Sequence, residues 1–171
     1  MTDILPLIDR LIEEHKVLGE KAKTMETALN DKRLISDISQ AGDTIIPGKT
    51  DQSERLKALE EMLKSIVDMI EKHFHYEETV LLQAIESHGD AELVKSLNKL
   101  LAEHADLQER LTGAKNRVIE LTKGNLHRAA FDISQLEMLT SLNYTRAVFQ
   151  KHATRENKLF SQIRRKIMIT Q

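Results

Sequence analysis

Apolar residues recur along most of the chain in steps of three and four, the spacing that lines one face of an α-helix. The first such row reads Ile8, Ile12, His15, Gly19, Ala22; the second reads Leu56, Leu59, Leu63, Ile66, Ile70, His73, Glu77, Val80, Ala84. The third reads Leu93, Leu97, Leu100, His104, Leu107, Leu111, Ala114, Val118, Leu121, and the fourth Leu139, Leu142, Phe149, His152, Glu156, Leu159, Ile163, Ile167. Each row predicts a long amphipathic helix with one face turned to a common core.

The residues between the rows predict where the helices stop. Thr2 or Asp3 can cap the first helix, and Pro6 falls in its first turn, where a missing N–H does no harm. The pattern weakens at Asn30-Asp31 and resumes through Leu34, Ile35 and Ile38, predicting a break; Gly42 and residues 43–50 make the longest loop. Asp51, with Glu54 three residues later, opens the second helix, which runs to Ser87-His88-Gly89. The third runs from Asp90 to Gly124-Asn125, and the fourth starts near Asp132 with Gln135 in the capping-box position. Helices joined by such short turns predict an all-α, up-down-up-down antiparallel four-helix bundle, a single domain over residues 1–171. An extended coiled coil fits poorly with the tight Gly89-Asp90 turn.

Composition narrows the chemistry. The formal charge of −2 offers no basic field for nucleic acid, and Arg164-Arg165-Lys166 reads as a cation cluster at a helix C-terminus. The absence of cysteine rules out disulfides, iron–sulfur ligation and thiol catalysis, so any metal site must use N and O donors. No apolar run approaches the ~20 residues needed to cross a bilayer, and the N-terminal residues lack the basic and apolar regions of a signal peptide. A cytoplasmic protein without membrane contact is expected.

Each row carries one histidine where Leu or Ile belongs: His15, His73, His104 and His152. The second and fourth rows add Glu77 and Glu156 one turn further on, about 6 Å along the axis. Sixteen residues separate His73 from Gly89 and fourteen separate Asp90 from His104; twenty separate His104 from Gly124 and Asp132 from His152. In an antiparallel bundle those arms bring the three histidines to one level, and a first helix broken at its far end adds His15. A lone histidine in an apolar row is ordinarily a satisfied core residue. Four at one level with two carboxylates leave lone pairs unmet unless a cation joins them, so metal binding is the better reading. His75, His88 and His127 fall off the rows or in turns and read as solvated.

The order His15, His73-x-x-x-Glu77, His104, His152-x-x-x-Glu156 resembles the hemerythrin-like HHE cation-binding domain family, over nearly the whole chain. The resemblance implies a non-haem centre of two iron ions bridged by Glu77, Glu156 and an oxo or hydroxo group, with the four histidines completing the shell. Oxygen-carrying members have a second histidine four residues after the third-helix one and an aspartate five after the last; here those positions hold Gln108 and Asn157. The match is to the variant with His-x-x-x-Glu on both the second and fourth helices, which weakens the case for reversible oxygen carriage.

Imidazole and carboxylate without thiolate suit iron, with zinc or manganese as substitutes. Four imidazoles, two bridging carboxylates and a bridging oxide fill about ten of the roughly twelve positions of two octahedral ions, leaving room for a further ligand. Gly19 offers either space for a diatomic molecule or close helix packing, and Tyr76 either a hydrogen bond to a bound ligand or the more ordinary role of a boundary residue. No glutamate stands three residues before a histidine, as ferritin-like bundles require, and no His-Glu-x-x-His occurs. The expected function is binding of iron and of a small ligand such as O2, NO or peroxide, in sensing, storage or stress response. The alternatives are a di-iron oxidoreductase acting on peroxide or NO, and a metal-stapled interaction module.

Overall fold

The computed structural model describes residues 4–29, 50–122 and 128–170, and all its regular structure is helical. Helix α1 spans Ile4–Leu29. The second rod comprises α2 (Thr50–Tyr76), a π-helical turn (Glu77–Leu81) and α3 (Leu82–His88). The third comprises α4 (Ala91–Leu101) and α5 (His104–Thr122), and the fourth is the single helix α6 (Arg128–Thr170). Each rod packs on its neighbours in sequence, and α6 closes the bundle against α1.

The direction of each rod follows from its buried residues. Ile4, Ile8 and Leu11 of α1 pack with Leu81 and Ile85, from the end of the second rod, and with Leu93, Leu97, Leu159, Phe160 and Ile163. Leu18 and Met25, later in α1, pack with Leu59 and Leu63, early in α2, and with Leu111, Val118, Met138 and Leu142. Neighbouring rods are therefore antiparallel, giving the up-down-up-down bundle. The core comprises two apolar clusters; the buried residues His15, Glu77, His104, His152 and Glu156 fall between them in sequence on their rods, and His73 stands one residue before Phe74, the last member of the first cluster on the second rod. At about 1.5–3 kcal/mol per buried Leu, Ile or Phe side chain, these clusters are what can carry a polar layer.

The turn between the second and third rods is built by two residues. Gly89 sits at φ 81°, the left-handed region open to glycine, and ends α3. Asp90 caps α4 by accepting from the backbone N–H groups of Glu92 and Leu93, each at 3.1 Å, and its other oxygen accepts from Lys166 at 2.7 Å.

Several boundaries differ from expectation. Helix α6 begins at Arg128, four residues before Asp132, and α2 already includes Thr50, so Asp51 lies within the helix. The third rod is interrupted at Ala102–Glu103, where Glu103 N–H donates to Leu100 O at 3.0 Å in a tighter turn. Gly19 is exposed and Ile12 half-buried, the first row continuing through Leu18 to Ala22 and Met25; Met138 is buried where Leu139 was expected. Val80 is half-buried and Leu81, four residues after Glu77 and within the π turn, takes the core position. The expected caps at Thr2 or Asp3, the break at Asn30-Asp31, the row from Leu34 to Ile38, the loop from Gly42 to residue 49 and the stop at Gly124-Asn125 lie outside the described residues.

The burial of Leu81 fixes a testable order of stabilities. Leu81→Ala should cost about 2–5 kcal/mol and Val80→Ala less than about 1 kcal/mol, measured by urea unfolding of metal-free protein. The reverse order would mean that Val80, not Leu81, faces the core.

Candidate metal centre

Six residues from the four rods meet in the polar layer. His15 comes from the middle of α1, His73 from the last turn of α2, and Glu77 opens the π turn. His104 is the first residue of α5, just past the break at Ala102–Glu103, while His152 and Glu156 lie one turn apart on α6. His15 is 7% exposed and the other five 2% or less.

The inward atoms crowd one another. Nε2 of His15 lies 2.9 Å from Nε2 of His73 and 3.1 Å from Oε2 of Glu156. Nε2 of His73 is 3.5 Å from Oε1 of Glu77, and Nε2 of His104 is 3.3 Å from Oε2 of Glu77 and 3.7 Å from Oε1 of Glu156. Nε2 of His152 is 2.7 Å from Oε1 of Glu156. Each carboxylate thus turns one oxygen toward His15 and His73 and the other toward His104 and His152.

The outer nitrogens explain why the inner ones are bare. His73 Nδ1–H donates to Glu14 Oε2 at 2.8 Å, His104 Nδ1–H to Glu78 Oε1 at 2.8 Å, and His152 Nδ1–H to Glu103 Oε2 at 3.0 Å. His15 Nδ1–H donates to the amide oxygen of Asn157 at 3.1 Å. With the ring proton held outside, each neutral imidazole presents its Nε2 lone pair to the centre. Four nitrogen lone pairs and four carboxylate oxygens then converge without a donor among them. Both oxygens of Glu77 and of Glu156, and Nε2 of His104 and of His152, have no hydrogen-bond partner despite their short contacts, which lack hydrogen-bond direction.

A cation meets this need. Metal–ligand bonds of about 2.1 Å set adjacent donors about 3 Å apart, within the spread of contacts seen here. Two overlapping groups can hold a metal ion: His15, His73, Glu77 and Glu156, and Glu77, His104, His152 and Glu156, with the ligand atoms of each group within 4.8 Å of one another. Phe74 lies flat on the His104 ring, 3.7 Å between centroids, and Phe160 stacks on His15 at 6.0 Å, closing the layer with apolar surface.

Residues 32–163 match the hemerythrin HHE cation binding domain. The chain belongs to that family. No curated protein and no solved structure matches it. In this hemerythrin domain α1 lies before the matched segment, so His15 joins the cluster on the evidence of geometry alone, through its contacts with His73 and Glu156.

Other residues considered for this hemerythrin site stand outside the cluster. Gln108 is exposed, and Asn157 sits on the outer edge of His15. Gly19 faces solvent, and nothing lies within 4 Å of where its side chain would begin, so it neither opens the site nor packs a helix. Tyr76 is half-buried and holds the Arg10 guanidinium 4.0 Å above its ring, a boundary role. His75 is exposed, His88 half-buried, and His127 lies outside the described residues. The pattern of apolar rows passed over Glu14, Glu78 and Glu103, which hold the histidines from outside; their signal was adjacency, since each is next in sequence to a row histidine or glutamate.

Without a cation, protons must relieve the crowding. Burial lowers His104, but Glu156, Glu77 and Glu78 outweigh it and raise it from 6.5 to about 9. Burial likewise lowers His15, yet Glu156 and Asn157 hold it above its usual value. Burial and the neighbouring His15 lower His73 to about 4. Burial, reinforced by the Glu156 charge, raises Glu77 from 4.5 to about 8 against the pull of His104. Burial also opposes ionisation of Glu156, but His104, His15 and His152 keep it well below the usual carboxylate range.

The sign of the pH dependence follows. His104 contributes stability that is full below 6.5 and lost as pH rises through about 9. Glu77 is favoured protonated in the fold, so its contribution falls between 4.5 and about 8. His73 acts in the opposite sense only between about 4 and 6.5. Metal-free protein should therefore lose stability from pH 6.5 to 9, by up to about 1.4 kcal/mol per pH unit for each group. Metal-loaded protein should change in the opposite sense, because metal competes with those protons. Thermal unfolding of chelated and loaded protein across that range checks both slopes; parallel slopes would mean that no metal displaces protons here.

Proposed function

We propose that this protein is a dinuclear non-haem iron protein with His15, His73, Glu77, His104, His152 and Glu156 as ligands, binding a small molecule such as O2, NO or peroxide in sensing, storage or stress response. The observation that carries the reading is the division of each carboxylate: one oxygen of Glu77 and one of Glu156 faces each pair of histidines. That is the disposition two carboxylates need to bridge two ions. Nitrogen and oxygen donors alone suit iron, with zinc or manganese as substitutes. Iron, when bound, supplies a change of oxidation state and a coordination position for a small ligand.

The chain's own part is to aim the donors, bury them and restrict what arrives. The layer is walled by Phe74 and Phe160. Beside it is a cavity of about 30 Å³ lined in part by Leu18, Ile70 and Phe149, each three residues from a cluster histidine, on the side away from Glu77 and Glu156. One water needs roughly 10–15 Å³ measured in this way, so the space suits a molecule of two or three atoms and its apolar lining favours an uncharged one.

Two ions per chain are expected after anaerobic loading with iron(II). Glu77→Ala and Glu156→Ala should each lose both ions. At a thousandfold excess of metal over the dissociation constant, wild type should gain about 4 kcal/mol per bound ion that the variants do not. In chelated protein Glu77→Ala should be near neutral or stabilising, because it removes a buried acid that the fold holds protonated. Equal destabilisation with and without metal would make the glutamates part of a protein-only network. NO should perturb the spectrum of the reduced form and azide that of the oxidised form; indifference to both with two ions bound would indicate a closed structural site.

A further inference from the structure

The cluster is built from two copies of one arrangement, and the copies differ at one outer contact. In the first, Glu14-His15 on α1 is followed by His73-x-x-x-Glu77-Glu78; in the second, Glu103-His104 is followed by His152-x-x-x-Glu156-Asn157. Glu14 accepts from His73 and Glu103 accepts from His152, the same bond in each copy. Both carboxylates also carry an arginine: Arg10 Nε donates to Glu14 Oε1 at 2.8 Å, and both terminal nitrogens of Arg155 donate to Glu103. These two histidines are held alike.

The remaining two are not. Glu78 accepts from His104, whereas Asn157, its counterpart in the repeat, accepts from His15 through a neutral amide. No arginine or lysine is seen paired with Glu78 among the described residues, so its charge acts on His104 undivided. A carboxylate on Nδ1–H makes the opposite nitrogen a stronger donor than an amide does. We propose that Glu78 and Asn157 are positioning residues that make the two metal positions unequal: the ion held by His104 and His152 is tight, and the ion held by His15 and His73 is loose and exchangeable. This inference rests on the dinuclear reading above.

The test is removal of cobalt(II), a spectroscopic stand-in, from the full chain by a graded competing chelator, followed by absorbance and bound-metal analysis. Wild type should lose its ions in two steps about 10–100-fold apart. His15→Ala should lack the loose ion and keep the tight one, which assigns the steps. Glu78→Gln, which retains the hydrogen bond but removes the charge, should merge the steps by loosening the tight ion. Asn157→Leu should widen the gap by loosening only the loose one. Opposite changes in the gap from two truncating or neutralising substitutions are not what general damage to the fold produces, and the melting temperature of each metal-free variant checks the fold directly. Two ions lost from wild type in one step, or a gap that Glu78→Gln leaves unchanged, would overturn the inequality while leaving the dinuclear centre intact. Fewer than two ions in wild type would overturn the dinuclear reading, and this inference with it.

Discussion

The structure depends on a layer of acceptors with no donors. Eight inward atoms, four imidazole nitrogens and four carboxylate oxygens, converge in a buried layer, and each histidine proton that might serve them is committed to an outer partner. An unpaired buried carboxylate costs several kcal/mol, so the layer is a standing demand for positive charge. The apolar clusters on either side let the bundle carry that demand. Both draw on all four rods, one through Leu18, Leu63, Leu111 and Met138 and the other through Ile8, Leu81, Leu97 and Phe160. Folding and cation binding are consequently linked through the same residues.

Two of the four rods are irregular where they supply the layer. The second rod passes through a π turn that starts at Glu77, and the third breaks at Ala102–Glu103 just before His104. Single π turns inside α-helices commonly coincide with functional sites. At these stretches adjacent residues do different work, as they do on the regular helices α1 and α6. Glu77 faces inward while Glu78 reaches the back of His104; His104 faces inward while Glu103 reaches the back of His152. Elsewhere along the rods the regular three-and-four rhythm holds, and on α1 and α6 it brings His15, His152 and Glu156 inward among apolar residues.

That contrast decides what could be read from the sequence. The all-α bundle and the convergence of His15, His73, Glu77, His104, His152 and Glu156 were legible, because polar residues in apolar rows are conspicuous and equal arms fix their height. The exchanges of Val80 for Leu81 and of Gly19 for Leu18 were not: in each pair both residues extend the row by a permitted step, and only the packing selects Leu81 and Leu18. Glu14, Glu78 and Glu103 were hidden among the many surface acids of a chain that is 30% charged. Their roles become visible only when the neighbouring rod is in place, because each bonds a histidine of another rod.

Each outer partner is next in sequence to an inner residue: Glu14 to His15, Glu78 to Glu77, Glu103 to His104, and Asn157 to Glu156. A turn of helix that delivers one inward donor therefore also orients a second donor on the rod beside it. The four rods are locked to one another around the layer, and no imidazole can rotate to donate inward without abandoning its outer bond. The lone pairs stay aimed at the centre whether or not a cation is there, which reduces the reorganisation needed when one binds. The same rigidity prevents the metal-free protein from satisfying the layer by local rearrangement. It must instead take up protons: the surrounding glutamates raise His104 against its burial, and burial raises Glu77.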